Sequence, residues 1–148
     1  MDYGIVIEKI HQELKAYWGK GKVADYIPAL AEVEPKRYGI AIETLDGHSF
    51  QVGDADIRFS IQSISKVFAL AMVTRHLGDR IWKFVGREPS GNPFNSLVQL
   101  EYEHGIPRNP FINAGALVVT DRLMSLYEQP KDAILQFVRG ICGNDDIY

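Results

Sequence analysis

The residues best suited to chemistry in this chain are a serine and a lysine three positions apart, Ser63 and Lys66. On a helix, positions i and i+3 share one face, so the lysine amine can reach the serine hydroxyl. A serine is a weak nucleophile until a base or a desolvated amine activates it, and serine–lysine is one of the recurrent nucleophile–base pairs. The spacing therefore indicates acyl transfer through Ser63, with Lys66 as the base.

The residues after this pair indicate how it would be positioned. An apolar run over 67–73 (VFALAMV) predicts a buried helix over about 62–77 that stops near Gly78. Ser63 would then lie in the first helical turn, where backbone N–H groups lack intrahelical partners and the helix dipole favours negative charge. A purely structural interpretation also fits, in which Ser63 caps a core helix and Lys66 extends to water.

The rest of the chain is predicted to form one β-hairpin and several helices. Two segments, 38–44 and 49–54, flank an Asp46-Gly47 turn signal and predict a β-hairpin with a two-residue turn. A hairpin alone is not stable, so we expect its remaining strands elsewhere and interpret the chain as the N-terminal part of a longer protein. The other predicted elements are a helix over 2–18, a loop or short turn over 22–28, a short helix over 81–85, an uncertain apolar segment at 97–100, and helices over 114–126 and from Pro130 to Gly143.

Composition narrows the possible functions. A net charge of −3 argues against nucleic acid or an anionic membrane as the main partner. One cysteine, Cys142, excludes a disulfide framework and a cysteine-rich metal site, and the four histidines lack ligand spacing, so we expect no metal. The N-terminus lacks the basic region of a signal peptide and the longest apolar run is too short to span a bilayer, so we expect a cytoplasmic protein.

Four segments together resemble the serine-dependent glutaminases, above all the bacterial ones. They occur in the family's order and at closely similar spacing: 21–28 (GKVADYIP), 62–66 (QSISK), 85–91 (VGREPSG) and 109–116 (NPFINAGA). The resemblance covers essentially the whole chain. It implies an α/β fold of the β-lactamase/transpeptidase-like kind, with helices around an antiparallel sheet. Residues 1–148 would be the N-terminal portion of a single glutaminase catalytic domain without an internal boundary.

The resemblance also implies a reaction, the hydrolysis of L-glutamine to L-glutamate and ammonia through a seryl acyl-enzyme, without a cofactor and in a homotetramer. Ser63 matches the nucleophile and Lys66 its base, while Tyr26 matches a tyrosine close to that pair. Gln62 and Asn113, with Ser63 and Tyr26, match residues that contact the substrate. The family's downstream glutamate, asparagine, tyrosines and oxyanion-completing valine have no match here, so we expect these 148 residues alone to be inactive or nearly so.

The residue chemistry agrees with that assignment but leaves alternatives. Amide and phenol groups can bind a zwitterionic substrate, and the N–H of Ser63 could be one donor to the oxyanion. A lysine acts as a base only where desolvation or positive potential favours its neutral amine. Equally, Asn113 could be the N-cap of the helix over 114–126, Tyr26 a packed aromatic beside Pro28, and Gln62 a surface residue.

Two other functions remain open at this stage. Ser-x-x-Lys is also the signature of penicillin-binding enzymes and class A β-lactamases, so another acyl-transfer enzyme of the β-lactamase or peptidase kind is an alternative. Such enzymes usually act outside the cytoplasm, whereas this chain shows no export signal. A half-length chain could also be an inactive fragment with only a binding role.

Overall fold

The computed structural model describes residues 2–91 and 103–148. They divide into two compact units, Met1–Phe59 and Ser60–Tyr148, and the predicted α/β class is confirmed. The helices and strands are α1 (Tyr3–Leu14), α2 (Pro28–Ala31), β1 (Gly39–Glu43), β2 (Ser49–Gly53), α3 (Ser65–Leu77), α4 (Asn113–Leu126) and α5 (Pro130–Cys142), with 3₁₀ turns at Lys15–Tyr17, Gln62–Ile64 and Gly78–Lys83. Within the described ranges, no helix is both long and apolar enough to cross a membrane.

In the N-terminal unit, α1 packs against the hairpin. The Asp2 side chain caps α1 by accepting a hydrogen bond from the Ile5 N–H at 3.2 Å. The helix buries Ile7 and His11, and the rings of Tyr3 and Phe50 meet edge to face, as aromatic pairs prefer. The 3₁₀ turn that follows α1 ends at Tyr17. The helix predicted over 2–18 is therefore confirmed, with a tighter last turn.

The hairpin forms where it was predicted, but its loop is longer. Thr44 and His48 still pair, and the Gly47 N–H donates to the Thr44 carbonyl at 3.0 Å. Gly47 has a φ of +82°, the left-handed conformation that follows a type I turn in a three-residue loop. The two-residue turn prediction was thus wrong by one residue. Hydrogen bonds from the Thr44 hydroxyl and from His48 hold the pKa of the exposed Asp46 below its ordinary value.

Pro28 begins a helix, although residues 22–28 were predicted to form a loop or short turn. It is the first residue of the one-turn α2. The first turn of a helix leaves its N–H groups unpaired, so proline costs nothing there. Pro28 prevents a helix from entering from the N-terminal side, as the sequence indicated, but it does not prevent one from starting.

In the C-terminal unit, α3, α4 and α5 enclose one apolar core. Helix α3 ends before Gly78 as predicted, and Gly78 has a φ of +54°. The helix from Pro130 is also confirmed and ends at Gly143, whereas the helix predicted over 81–85 is a 3₁₀ turn over Gly78–Lys83. The segment 97–100 lies outside the described residues. The buried core residues are Ala69, Met72, Val73, Ile81, Val85, Val119 and Leu123.

Candidate active site

Ser63 lies in the 3₁₀ turn Gln62–Ile64, directly before α3. The α-helix itself begins at Ser65, so the prediction that Ser63 occupies its first turn was wrong by one short turn. Gln62 has a φ of +41°, a left-handed conformation that is uncommon for residues other than glycine. The Ser65 hydroxyl donates to the Gln62 carbonyl at 2.6 Å and stabilises this conformation. The turn leaves Ser63 exposed, one turn ahead of Lys66.

Lys66, the second residue of α3, reaches across to the start of α4. Its Nζ donates to the Asn113 Oδ1 at 2.7 Å and to the Phe111 carbonyl at 3.0 Å. These contacts bridge 47 and 45 positions of the sequence. The structure therefore joins two of the predicted site residues, Lys66 and Asn113, in one hydrogen-bonded group.

The N-cap interpretation of Asn113 is wrong. Helix α4 begins at Asn113 itself, its N-cap residue is Ile112, and no side chain makes the capping hydrogen bond. The Asn113 side-chain oxygen, which would serve a cap, instead accepts from Lys66. The amide nitrogen of Asn113 is a donor, so this exposed side chain can also offer a hydrogen bond to a ligand.

Helix geometry gives this site a positive potential. The N-terminal ends of α3 and α4, helices of 13 and 14 residues, meet through the contact between Lys66 and Asn113. The aligned peptide dipoles of each helix give its N-terminus a partial positive charge, which favours an oxyanion nearby. Lys66 also borders a largely apolar pocket of about 290 Å³ between α3, α4 and α5.

The segment before α4 is held by its own set of hydrogen bonds. Gly86 and Glu88 donate their N–H groups to the Pro107 and Arg108 carbonyls at 2.7 and 2.8 Å. The Asn109 side chain accepts from the Phe111 N–H at 2.8 Å and donates to the Glu88 carbonyl at 3.1 Å. Asn109 was not among the site residues predicted from the sequence, although an Asn-Pro pair is a known turn signal.

Gly115 is required where α4 packs against this segment. A Cβ at position 115 would lie 1.8 Å from the Asn109 carbonyl oxygen, whereas one at Gly140 in α5 would meet nothing within 4 Å. We expect Gly115→Ala to lower the free energy of unfolding by at least about 1–3 kcal/mol, the usual cost of overpacking. Gly140→Ala is expected to raise it by up to about 1 kcal/mol through helix propensity. Urea unfolding of both variants tests this, and equal effects would contradict the close packing at Gly115.

The other two predicted site residues are both exposed. Gln62 is exposed in the turn that carries Ser63. Tyr26 belongs to the N-terminal unit and is 74% exposed, so its interpretation as a packed aromatic is wrong. Within the described residues, no group of three His, Cys, Asp or Glu side chains is placed to hold a metal ion.

Comparison with known proteins identifies the family. The glutaminase family model matches residues 21–148. The chain is 58% identical over 143 residues to a glutaminase of Salmonella arizonae, a match that includes 96% of this chain and 46% of the relative. The chain thus spans about half the length of the curated relatives it matches.

Solved glutaminase structures share the fold. A probable glutaminase, ybaS, superposes with a TM-score of 0.74 at 35% identity, over 89% of this chain and 45% of that one. A second structure, Mglu in its L-glutamate binding form, gives a TM-score of 0.77 at 35% identity, over 98% of this chain and 34% of that one. The family match, the identity to the Salmonella protein and the shared fold agree with the motifs read from the sequence. The chain belongs to the glutaminase family.

Proposed function

We propose that this chain supplies the serine-bearing half of an enzyme that hydrolyses L-glutamine to L-glutamate and ammonia. The observation that carries the proposal is the hydrogen bond of 2.7 Å between Lys66 and Asn113. It joins the Lys66 amine to the Asn113 amide at the N-terminal ends of two helices, one turn from Ser63. The names of the relatives support glutamine as the substrate, and the L-glutamate binding form of one neighbour supports its product.

In the proposed reaction, the Ser63 Oγ attacks the carbon of the glutamine side-chain amide and passes its proton to the Lys66 amine. The positive helix ends stabilise the tetrahedral oxyanion, and the Ser63 N–H is assigned as one donor to it. The C–N bond then breaks, and the leaving nitrogen takes the proton from Lys66 and departs as ammonia. Water attacks the glutamyl ester and passes a proton to Lys66. The ester C–O bond then breaks, and Lys66 returns the proton to the Ser63 Oγ as L-glutamate is released.

The remaining assignments rest on the resemblance and on side-chain chemistry. We assign Gln62 and Asn113 to the polar groups of the substrate and Tyr26 to the vicinity of the Ser63–Lys66 pair. A phenol and two amides can donate to a carboxylate and accept from an ammonium group. We also assign the protein to the cytoplasm and to a homotetramer.

The full-length activity can be tested with a chimera, defined as this chain followed by the part of the Salmonella arizonae glutaminase that lies beyond the matched region. We expect the chimera to release ammonia from L-glutamine and the 148-residue chain to do so at least about 10²-fold more slowly. The loss of one oxyanion donor alone costs about that much. A coupled glutamate dehydrogenase assay on both proteins measures the ratio.

Two outcomes would contradict these expectations. A folded chimera with no hydrolysis of glutamine would overturn the proposed reaction. Robust turnover by the 148-residue chain would contradict the expectation that the activity also requires the downstream residues that the chimera supplies.

A further inference from the structure

We propose that Asn109 is a positioning residue of this site, which holds Lys66 through the backbone carbonyl of Phe111. The proposal rests on the proposed function, because it gives Lys66 a reacting role. Asn109 itself touches neither Lys66 nor Ser63 in the contacts described above. It orients the Phe111 carbonyl group, which accepts a hydrogen bond from the Lys66 Nζ.

The Asn109 side chain binds the backbone of Phe111, the residue whose carbonyl accepts from Lys66. The Asn109 Oδ1 accepts the Phe111 N–H at 2.8 Å, a side-chain turn of the kind that asparagine forms with the backbone two residues later. This bond fixes the peptide group between Pro110 and Phe111, and helix α4 holds the chain from Ile112 onward, because the Ala116 N–H donates to the Ile112 carbonyl at 2.9 Å. The Phe111 carbonyl, which accepts from the Lys66 Nζ at 3.0 Å, lies between these two fixed points.

Asn109 is itself held by contacts of its side chain and its backbone. Its Nδ2 donates to the Glu88 carbonyl at 3.1 Å, so its side chain is tied to a segment that pairs with residues 107 and 108. Its own carbonyl lies against Gly115, where even a Cβ would clash. Asn109 is therefore held in place twice. Its side chain bonds the Glu88 carbonyl and the Phe111 N–H, and its backbone packs against α4 at Gly115.

Lys66 needs fixed hydrogen-bond acceptors to hold its position. A lysine side chain has about 2 kcal/mol of rotamer entropy to lose, so a base of this type needs fixed acceptors to remain beside its serine. Asn113 supplies one such acceptor through its side chain, and Phe111 supplies another through the backbone. Without Asn109 the second acceptor loses its fixed direction, and a displacement of about 1 Å in a reacting group can lower the rate about 10²-fold.

Two variants of Asn109 separate its hydrogen bond with the Phe111 N–H from its hydrogen bond with the Glu88 carbonyl. Asn109→Ala removes both side-chain hydrogen bonds. Asn109→Ser keeps a hydroxyl that can accept the Phe111 N–H, more weakly, but it is too short to replace the bond to Glu88. We expect both variants to lose stability. Only in the alanine variant do we expect the Phe111 carbonyl to stop holding the Lys66 amine in place.

The first measurement needs no enzymatic activity. Trace acetylation of the 148-residue chain with acetic anhydride, followed by peptide mass spectrometry, reports the reactivity of each lysine. In Asn109→Ala, we expect Lys66 to react about threefold or more faster relative to Lys131, which borders the same pocket, because its amine loses a fixed acceptor. Asn109→Ser should restore most of the original ratio. An unchanged ratio, or an equal rise at both lysines, would overturn the proposal.

The second measurement is kinetic and uses the chimera. We expect Asn109→Ala to lower kcat about tenfold or more with KM changed less than about threefold, and Asn109→Ser to recover most of the loss. A rise in KM with kcat unchanged would overturn the positioning role. If the unmodified chimera is inactive, the proposed reaction fails, while the acetylation ratio still decides whether Asn109 controls Lys66.

Discussion

Ser63→Ala in the chimera is expected to lower kcat for L-glutamine by at least about 10⁴-fold. Removing the nucleophile of a covalent hydrolase leaves only the catalysis that substrate binding and oxyanion donors supply, and in other serine hydrolases the loss is about 10⁴–10⁶-fold. Ser63 is exposed in a turn and is not part of the core, so the variant should fold and unfold like the parent. The measurement is steady-state ammonia release beside urea unfolding.

The matched control for Ser63→Ala is Ser125→Ala. Ser125 is an exposed serine in α4 whose hydroxyl donates to the Asp121 carbonyl of the same helix at 3.0 Å. Such bonds contribute little to helix stability, so Ser125→Ala should keep full activity. An electrophilic glutamine analogue, 6-diazo-5-oxo-L-norleucine, should add covalently to the chimera and to Ser125→Ala but not to Ser63→Ala. Retained turnover in Ser63→Ala would mean that another group attacks the amide.

The sequence predicted the helices around the site because their local signals are strong. The apolar run after Lys66 and the positive-φ Gly78 define α3, and Pro130 and Gly143 bound α5, as predicted. These are short-range effects, which depend on backbone conformation and on the burial of one helix face. The same reasoning missed the turn at Gln62, because a left-handed glutamine has no signal in residue type.

A long-range contact excludes one interpretation that the sequence left open. From the sequence, Asn113 could cap a helix or bind a ligand, because an asparagine side chain suits both places. The structure excludes the cap, because the Asn113 side-chain oxygen accepts from Lys66, which lies 47 positions away. The contact of Lys66 with the Phe111 carbonyl was unpredictable for a related reason, because a backbone carbonyl has no side-chain signature.

Lys66→Met and Lys66→Arg are both expected to lower kcat of the chimera by about 10²–10⁴-fold, the usual contribution of a general base. Methionine keeps most of the length and the apolar stem but has no amine. Arginine keeps the positive charge but remains protonated in proteins and cannot accept the Ser63 proton. The pair therefore separates two roles that Lys66 could have beside Asn113, a base and a fixed positive charge.

The outcome for arginine decides between these roles. If Lys66 is the base, Lys66→Arg loses activity as severely as Lys66→Met, and the glutamine analogue labels Ser63 slowly in both. If Lys66 only supplies charge to the oxyanion, the arginine variant retains most of the activity and the assignment as base is wrong. Lys131→Met is the matched control, since Lys131 borders the same pocket from the exposed surface of α5. It should hydrolyse glutamine like the parent, because no step of the proposed reaction needs a proton acceptor at that position.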